Sequence, residues 1–155
     1  MQTITPSLWF DDDFEEAAAF YASIFPDSEL GPVVRNPDGS VLAGDFTLMG
    51  RPFNGINGGS HFRFTEAVSF LLPCDSQEEA DHYWEVLTAD GGQESQCGWL
   101  KDRFGLSWQV VPTELYSLMS GPDPAANARV TEAMMQMNRI DLTVLRAARD
   151  GGDTP

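Results

Sequence analysis

The sequence predicts an α+β chain made of two repeated modules, each a strand, a helix and three strands, followed by extra C-terminal helices. Three observations carry this. The stretch Asp12-Asp13-Phe14-Glu15-Glu16-Ala17-Ala18-Ala19-Phe20-Tyr21 aligns with Asp75-Ser76-Gln77-Glu78-Glu79-Ala80-Asp81-His82-Tyr83-Trp84 at an offset of 63, a repeated unit that chance does not supply. Each copy follows an apolar strand and precedes strand-like segments broken by turn residues. After Pro112 the spacing of apolar residues becomes helical.

Module one covers residues 1–59. Thr3 to Phe10 reads as a strand, with Ile4, Pro6, Leu8 and Phe10 on one face and Thr5, Ser7 and Trp9 on the other. Asp11-Asp12-Asp13 reads as a helix start, one Asp capping and the others opposing the positive helix end; an acidic run of this kind can also bind a cation. The helix runs from Phe14 to Phe25, its stripe being Phe14, Ala17, Ala18, Tyr21 and Phe25, and Pro26-Asp27 stops it. Ser28 to Arg35 is a strand leading into the turn Asn36-Pro37-Asp38-Gly39. Val41 to Met49 and Pro52 to Asn57 follow, joined at Gly50-Arg51.

Residues 60–66 link the modules, and within them His61 to Thr65 is a short strand or an extended linker. Module two covers 67–112. Ala67 to Pro73 is a strand, and Asp75 or Ser76 caps a helix running to Ala89, with Glu79 near the capping-box position. Strands are expected at Gln93 to Gln96, Cys97 to Lys101 and Leu106 to Val111, the last two forming a hairpin that turns at Asp102 to Gly105. On the last strand Leu106, Trp108 and Val110 point one way and Ser107, Gln109 and Val111 the other. Gln109 there either lines a cavity or faces solvent. Residues 113–150 are helical: a short helix from Thr113 to Ser120, a helix from Ala125 to Met137, and one capped by Asp141 and ending near Arg149. The Met134, Met135 and Met137 stripe is either an adaptable binding surface or core and dimer contact. The rest, 151–155, is expected to fray.

Composition bounds the function. A hydrophobic fraction of 42% supports a core, so residues 1–150 are expected to form one domain. A net charge of −15 excludes nucleic acid as a partner, although Arg51, Arg63, Lys101 and Arg103 could make a local basic pocket. No apolar run is long enough for a membrane span, and the N-terminal residues carry no leader pattern, so a soluble, cytoplasmic protein is expected. The two cysteines, Cys74 and Cys97, form no CxxC, and with two histidines, His61 and His82, a His-rich metal site is excluded.

The chain resembles the vicinal oxygen chelate superfamily, the glyoxalase, bleomycin-resistance and dioxygenase fold, and within it the PhnB-like branch labelled demethylubiquinone methyltransferase-like. The motifs carrying the resemblance are Phe20-Tyr21-x-x-Ile24-Phe25-Pro26-Asp27-Ser28, Asn57-Gly58-Gly59-x-His61-Phe62-Arg63-Phe64, Tyr83-Trp84-x-x-Leu87, the run Cys97 to Pro112, and the tail segment Ala133 to Asp141. It implies curved mixed sheets around a cavity, and homodimers. Metal enzymes of that superfamily draw ligands from the first and last strand of each half. Here those positions fall on Thr5 or Ser7, Asn57, Ser69 and Gln109. Neutral amides and hydroxyls hold divalent transition metals poorly, so no cofactor is expected; a divalent metal bound elsewhere stays open. The methyltransferase label has no counterpart in a Gly-rich loop, because Gly55-x-x-Gly58-Gly59 opens no helix.

The expected function is metal-independent binding of a small aromatic or apolar molecule, with Trp9, Trp99 and Trp108 as an aromatic wall and Asn57, Ser69 and Gln109 orienting the ligand. The alternative is an enzyme of the superfamily, of isomerase, lyase or transferase type, using a divalent metal or a cavity acid or base. Cys97 is a candidate nucleophile or a small buried apolar residue; His61 is a candidate base.

Overall fold

A computed structural model describes residues 4–152. The chain divides into two compact units between Phe64 and Thr65. Expectations for Thr3 and for the last three residues fall outside the described residues.

The first unit contains β1 (Ser7–Phe10), α1 (Phe14–Ile24), β2 (Glu29–Arg35), β3 (Val41–Leu48) and β4 (Arg51–Asn57). They form one sheet in the order β1-β4-β3-β2. β1 runs parallel to β4, and the other pairs are antiparallel. Leu8, Phe10, Phe46 and Phe53 are buried on the face that receives α1, where Phe14, Ala17, Ala18 and Tyr21 of the predicted stripe are also buried. Helix and sheet approach closely because Gly55 has no side chain: a Cβ there would stand 2.0 Å from Cδ2 of Phe14. His61 to Thr65 forms no strand. Phe62 and Phe64 from this stretch make edge contacts with Trp9 and Phe10.

The second unit contains β5 (Ser69–Cys74), α2 (Gln77–Thr88), β6 (Gln93–Glu94), β7 (Trp99–Lys101) and β8 (Ser107–Pro112). Its sheet order, β5-β8-β7-β6, repeats the first: the opening strand lies parallel to the closing one. Ser76 caps α2, its Oγ accepting the Glu79 N–H at 3.1 Å, while the Glu79 carboxylate reaches back to the Asp75 N–H at 2.6 Å. β6 is shorter than the sequence predicts because Gln96 turns the chain, its carbonyl accepting the Trp99 N–H at 3.1 Å.

Three helices end the chain: α3 (Glu114–Met119), α4 (Pro124–Met134) and α5 (Leu142–Arg149). α4 stops before Met137. Val111 joins Leu115, Leu118, Val130, Ile140, Leu142 and Leu145 in one buried cluster, against which Met134 and Met137 pack; Met135 is exposed. The tail is also fastened by backbone bonds. Cys97 and Gly98 both take left-handed φ, at 59° and 83°, and their N–H groups donate to the carbonyls of Met137 and Asn138 at 2.9 and 2.7 Å. Gln77 completes the attachment, donating to the Ile140 carbonyl and accepting the Leu142 N–H.

Candidate functional site

Alternation on β8 sorts its side chains between two faces. Trp108 and Val110 turn toward α2, in register with Phe70 and Leu72. Ser107 and Gln109 turn to the far face, in register with Lys101 and Trp99 of β7. Ser69 and Leu71 of β5 share that face. The amide of Gln109 donates to Ser69 Oγ at 2.8 Å. Three of the expected residues, Ser69, Trp99 and Gln109, therefore meet on one surface, beside Leu71, which is 51% exposed.

A cleft of about 120 Å³ opens on this face, lined by Glu66, Glu94, Trp99, Lys101 and Ser107 among others. Lys101 Nζ stands 2.6 Å from Glu66, and this partner holds the Glu66 carboxyl below its usual value. Ser107 is buried, and its Oγ has no hydrogen-bond partner among the described residues.

Three expected ligand contacts, Trp108, Asn57 and Trp9, lie on other faces. Trp108 is buried against α2, not on the face of Gln109, and its indole N–H donates to Asp102 Oδ2 at 2.8 Å. The other Asp102 oxygen accepts the backbone N–H groups of Phe104 and Leu106. The run from Cys97 to Pro112 thus contains a buried carboxylate that ties the hairpin turn to its second strand. Asn57 lies on the α1 face. Its Oδ1 accepts the Phe14 N–H at 2.9 Å and its Nδ2 donates to the Val41 carbonyl at 3.0 Å. Asn57 thereby does what the aspartate run was expected to do: Asp13 occupies the cap position but makes no side-chain bond to the helix. Its pKa is raised, first by burial and then by the charges of Asp12, Glu16 and Asp11, against a lowering backbone bond of its own.

The far face of the first sheet carries Ser7 and Trp9 of β1 with Asn54 and Ile56 of β4. Ser7 Oγ donates to Asn54 Oδ1 at 2.9 Å, and Asn54 donates to the Gly44 carbonyl and to Asp45. Asn54 is the counterpart of Gln109. Each lies three residues before the end of its closing strand and bonds to a serine of the opening strand. The sequence reading missed Asn54, although the same alternation, counted back from the strand end, marks it. Trp9 packs against Gly58, and its indole N–H donates to the Gly59 carbonyl at 2.8 Å. A cleft of about 340 Å³ lies beside this face, lined by Thr5, Glu29, Gly31, Asp45, Thr47 and Pro52 among others.

Cys97 turns its thiol toward the tail, 3.7 Å from the Met134 carbonyl and 3.7 Å from Met135 Sδ, and does not line the second unit's cleft. Cys74 is fully buried, and burial, followed by the charge of Glu79, pushes its thiol up to about 12. His61 is exposed in a turn. The superfamily's metal does not fit the residues present. Ser7 and Asn54 in one unit, and Ser69 and Gln109 in the other, are neutral donors. Among the described residues no three His, Cys, Asp or Glu side chains converge. Nor is any described helix long and apolar enough to cross a membrane.

The family model described as 3-demethylubiquinone-9 3-methyltransferase matches residues 2–111. Among solved structures, a PhnB protein from Bacillus cereus is 32% identical, with a TM-score of 0.67; the match covers 72% of this chain and all of the other. A Pseudomonas aeruginosa protein shares the fold at 18% identity and a TM-score of 0.57, covering 70% of this chain and 95% of that one. So does the fosfomycin resistance protein FosX from Listeria monocytogenes, solved with Mn(II) and sulfate, at 19% identity and a TM-score of 0.52, covering 70% and 89%. None of the proteins with curated functions matches the chain.

Proposed function

The chain belongs to the 3-demethylubiquinone-9 3-methyltransferase family, in the PhnB-like branch of the vicinal oxygen chelate superfamily, and from this we propose that the far face of its second sheet binds a small aromatic or apolar molecule without a metal ion. One observation carries the reading: the Gln109–Ser69 hydrogen bond of 2.8 Å lies beside Trp99, which stands in register with Gln109. The pair keeps an amide oxygen, an amide N–H and a hydroxyl proton for a ligand. Trp99 supplies a π-face at low conformational cost, and Leu71 extends the apolar area.

The neutral side chains of Ser7, Asn54, Ser69 and Gln109 support binding by hydrogen bonds and apolar contact. The free thiols of Cys74 and Cys97 support a reducing, cytoplasmic compartment. The likeness to PhnB-like proteins supports a homodimer.

The test pairs two measurements on the full chain. Metal analysis of protein purified without chelators is expected to return no stoichiometric divalent ion. A thermal-shift screen of small aromatic compounds is expected to return binders whose shift Gln109→Leu abolishes. A stoichiometric metal whose removal abolishes binding would overturn the reading, and so would binders indifferent to Gln109→Leu.

A further inference from the structure

We infer that Cys97 and Met135 form a site for one soft monovalent cation of the Cu(I) type, where the link between β6 and β7 meets the end of α4. The site is separate from the sheet face proposed above and takes an ion for which that face has no ligands. Cys97 Sγ stands 3.7 Å from Met135 Sδ. With metal–sulfur bonds of about 2.3 Å, two sulfurs at that separation subtend roughly 107° at a shared ion, close to the tetrahedral angle. The pair is therefore spaced to hold one ion without moving. Thiolate and thioether are the ligands that select Cu(I). Among the described residues no three His, Cys, Asp or Glu side chains converge, so a harder divalent ion finds no ligand set there.

The surroundings fit the same role. Cys97 turns at a φ of 59°, and its N–H and that of Gly98 donate to the carbonyls of Met137 and Asn138 at 2.9 and 2.7 Å. These bonds fix the thiol against the tail, which leaves little ordering for the ion to impose. Of the three neighbouring methionines, Met134 and Met137 pack on the buried cluster, whereas Met135 is 52% exposed. Its thioether is open to an incoming ion. The Met134 carbonyl, 3.7 Å from the thiol, belongs to the C-terminal end of α4, where the helix dipole favours positive charge. The chain's net charge of −15 draws cations. Cys74, the other thiol, is fully buried and does not compete. Binding forms a Cu–S bond to Cys97 and a dative bond from Met135 Sδ. The thiol proton leaves to solvent, and nothing is oxidised or reduced.

Cu(I) itself is the probe, added anaerobically as its acetonitrile complex to the full chain in competition with a coloured Cu(I) chelator. One ion per chain is expected to bind, and X-ray absorption is expected to show two sulfur neighbours. Met135→Leu nearly conserves volume at an exposed position and so keeps the fold. It is expected to bind about tenfold more weakly, with one protein sulfur neighbour. Cys97→Ser is expected to abolish binding. Met49→Leu, at an exposed methionine of the first unit, is expected to match the parent. Absence of binding by the parent overturns the site. So does a Met135→Leu affinity equal to the parent's, which reduces the site to an ordinary exposed thiol, or an equal loss with Met49→Leu.

Discussion

Asp102 accepts the indole N–H of Trp108 at 2.8 Å from a position only 2% exposed. With the N–H groups of Phe104 and Leu106 on its other oxygen, the carboxylate reinforces a turn whose backbone bonds run from the Asp102 N–H to the Leu106 carbonyl and from the Gly105 N–H to the Asp102 carbonyl. Charge-assisted bonds of this kind are strong, and a buried charge that loses donors is costly. Trp108→Phe keeps the ring and removes one donor. It is expected to cost about 1–3 kcal/mol in urea unfolding. Asp102→Ala, which orphans three donors, is expected to cost more than Trp108→Phe.

Asn57 and Gln109 are expected to separate stability from binding. Asn57→Ala removes the acceptor for the Phe14 N–H at the start of α1 and is expected to cost about 1–2 kcal/mol, as loss of a helix cap does. Its affinity for the aromatic binders of the screen should stay at the parent value. Gln109→Leu should show the reverse, with binding lost and the urea midpoint nearly kept. Loss of binding in Asn57→Ala with an unchanged midpoint would make Asn57 a ligand contact.

The two thiols are expected to react in two phases. Thiolate is the reactive form, and the raised pKa and full burial of Cys74 leave almost none of it at mild alkaline pH. Cys97 is partly exposed. A disulfide reagent added to the native protein should titrate Cys97, and Cys74 only after denaturant is added. Mass spectrometry of the labelled peptides identifies which thiol reacted. Rapid labelling of Cys74 in the native protein would contradict its burial.

Asp13 gives a pH-dependent term. Its pKa is raised on folding, so the folded chain holds the proton more tightly than the unfolded one. Protonation of Asp13 therefore favours folding: its contribution is fully present below the unfolded pKa and is lost as pH rises through the folded value. Asp13→Asn removes the neutral-pH penalty. The variant is expected to melt above the parent at neutral pH, with the difference closing as the solution is made mildly acidic. A difference that stays constant with pH would assign the effect to something other than this carboxyl.

Local signals were legible and long-range ones were not. The start of α2 could be read from Ser76 and Glu79 alone, because a capping box is closed by residues three apart. The start of α1 could not, because its acceptor, Asn57, arrives from another strand. Three aspartates in a row offered a nearer and wrong source. Alternation on β8 already set Trp108 and Gln109 on opposite faces, and grouping both in one ligand wall ignored it. Asn54 escaped for a subtler reason. The repeat was aligned on its helices, but the link from β1 to α1 is one residue longer than that from β5 to α2. A slip of one residue in a strand exchanges its faces. Counting from the strand ends, Asn54 and Gln109 coincide.

The parallel pairing of opening and closing strands sets an order for synthesis on the ribosome. β4 completes the first sheet at Asn57, before any strand of the second has been translated. Folding during synthesis proceeds from the N-terminal side. The second sheet has all its strands by Pro112, but its partner groups are still incomplete: Val111 waits for the helices that cover it, and the N–H groups of Cys97 and Gly98 wait for Met137 and Asn138. A nascent chain paused after Pro112 would therefore carry a finished first sheet and a sticky second one. The closing helices act on their own module as a built-in chaperone, arriving last and in cis.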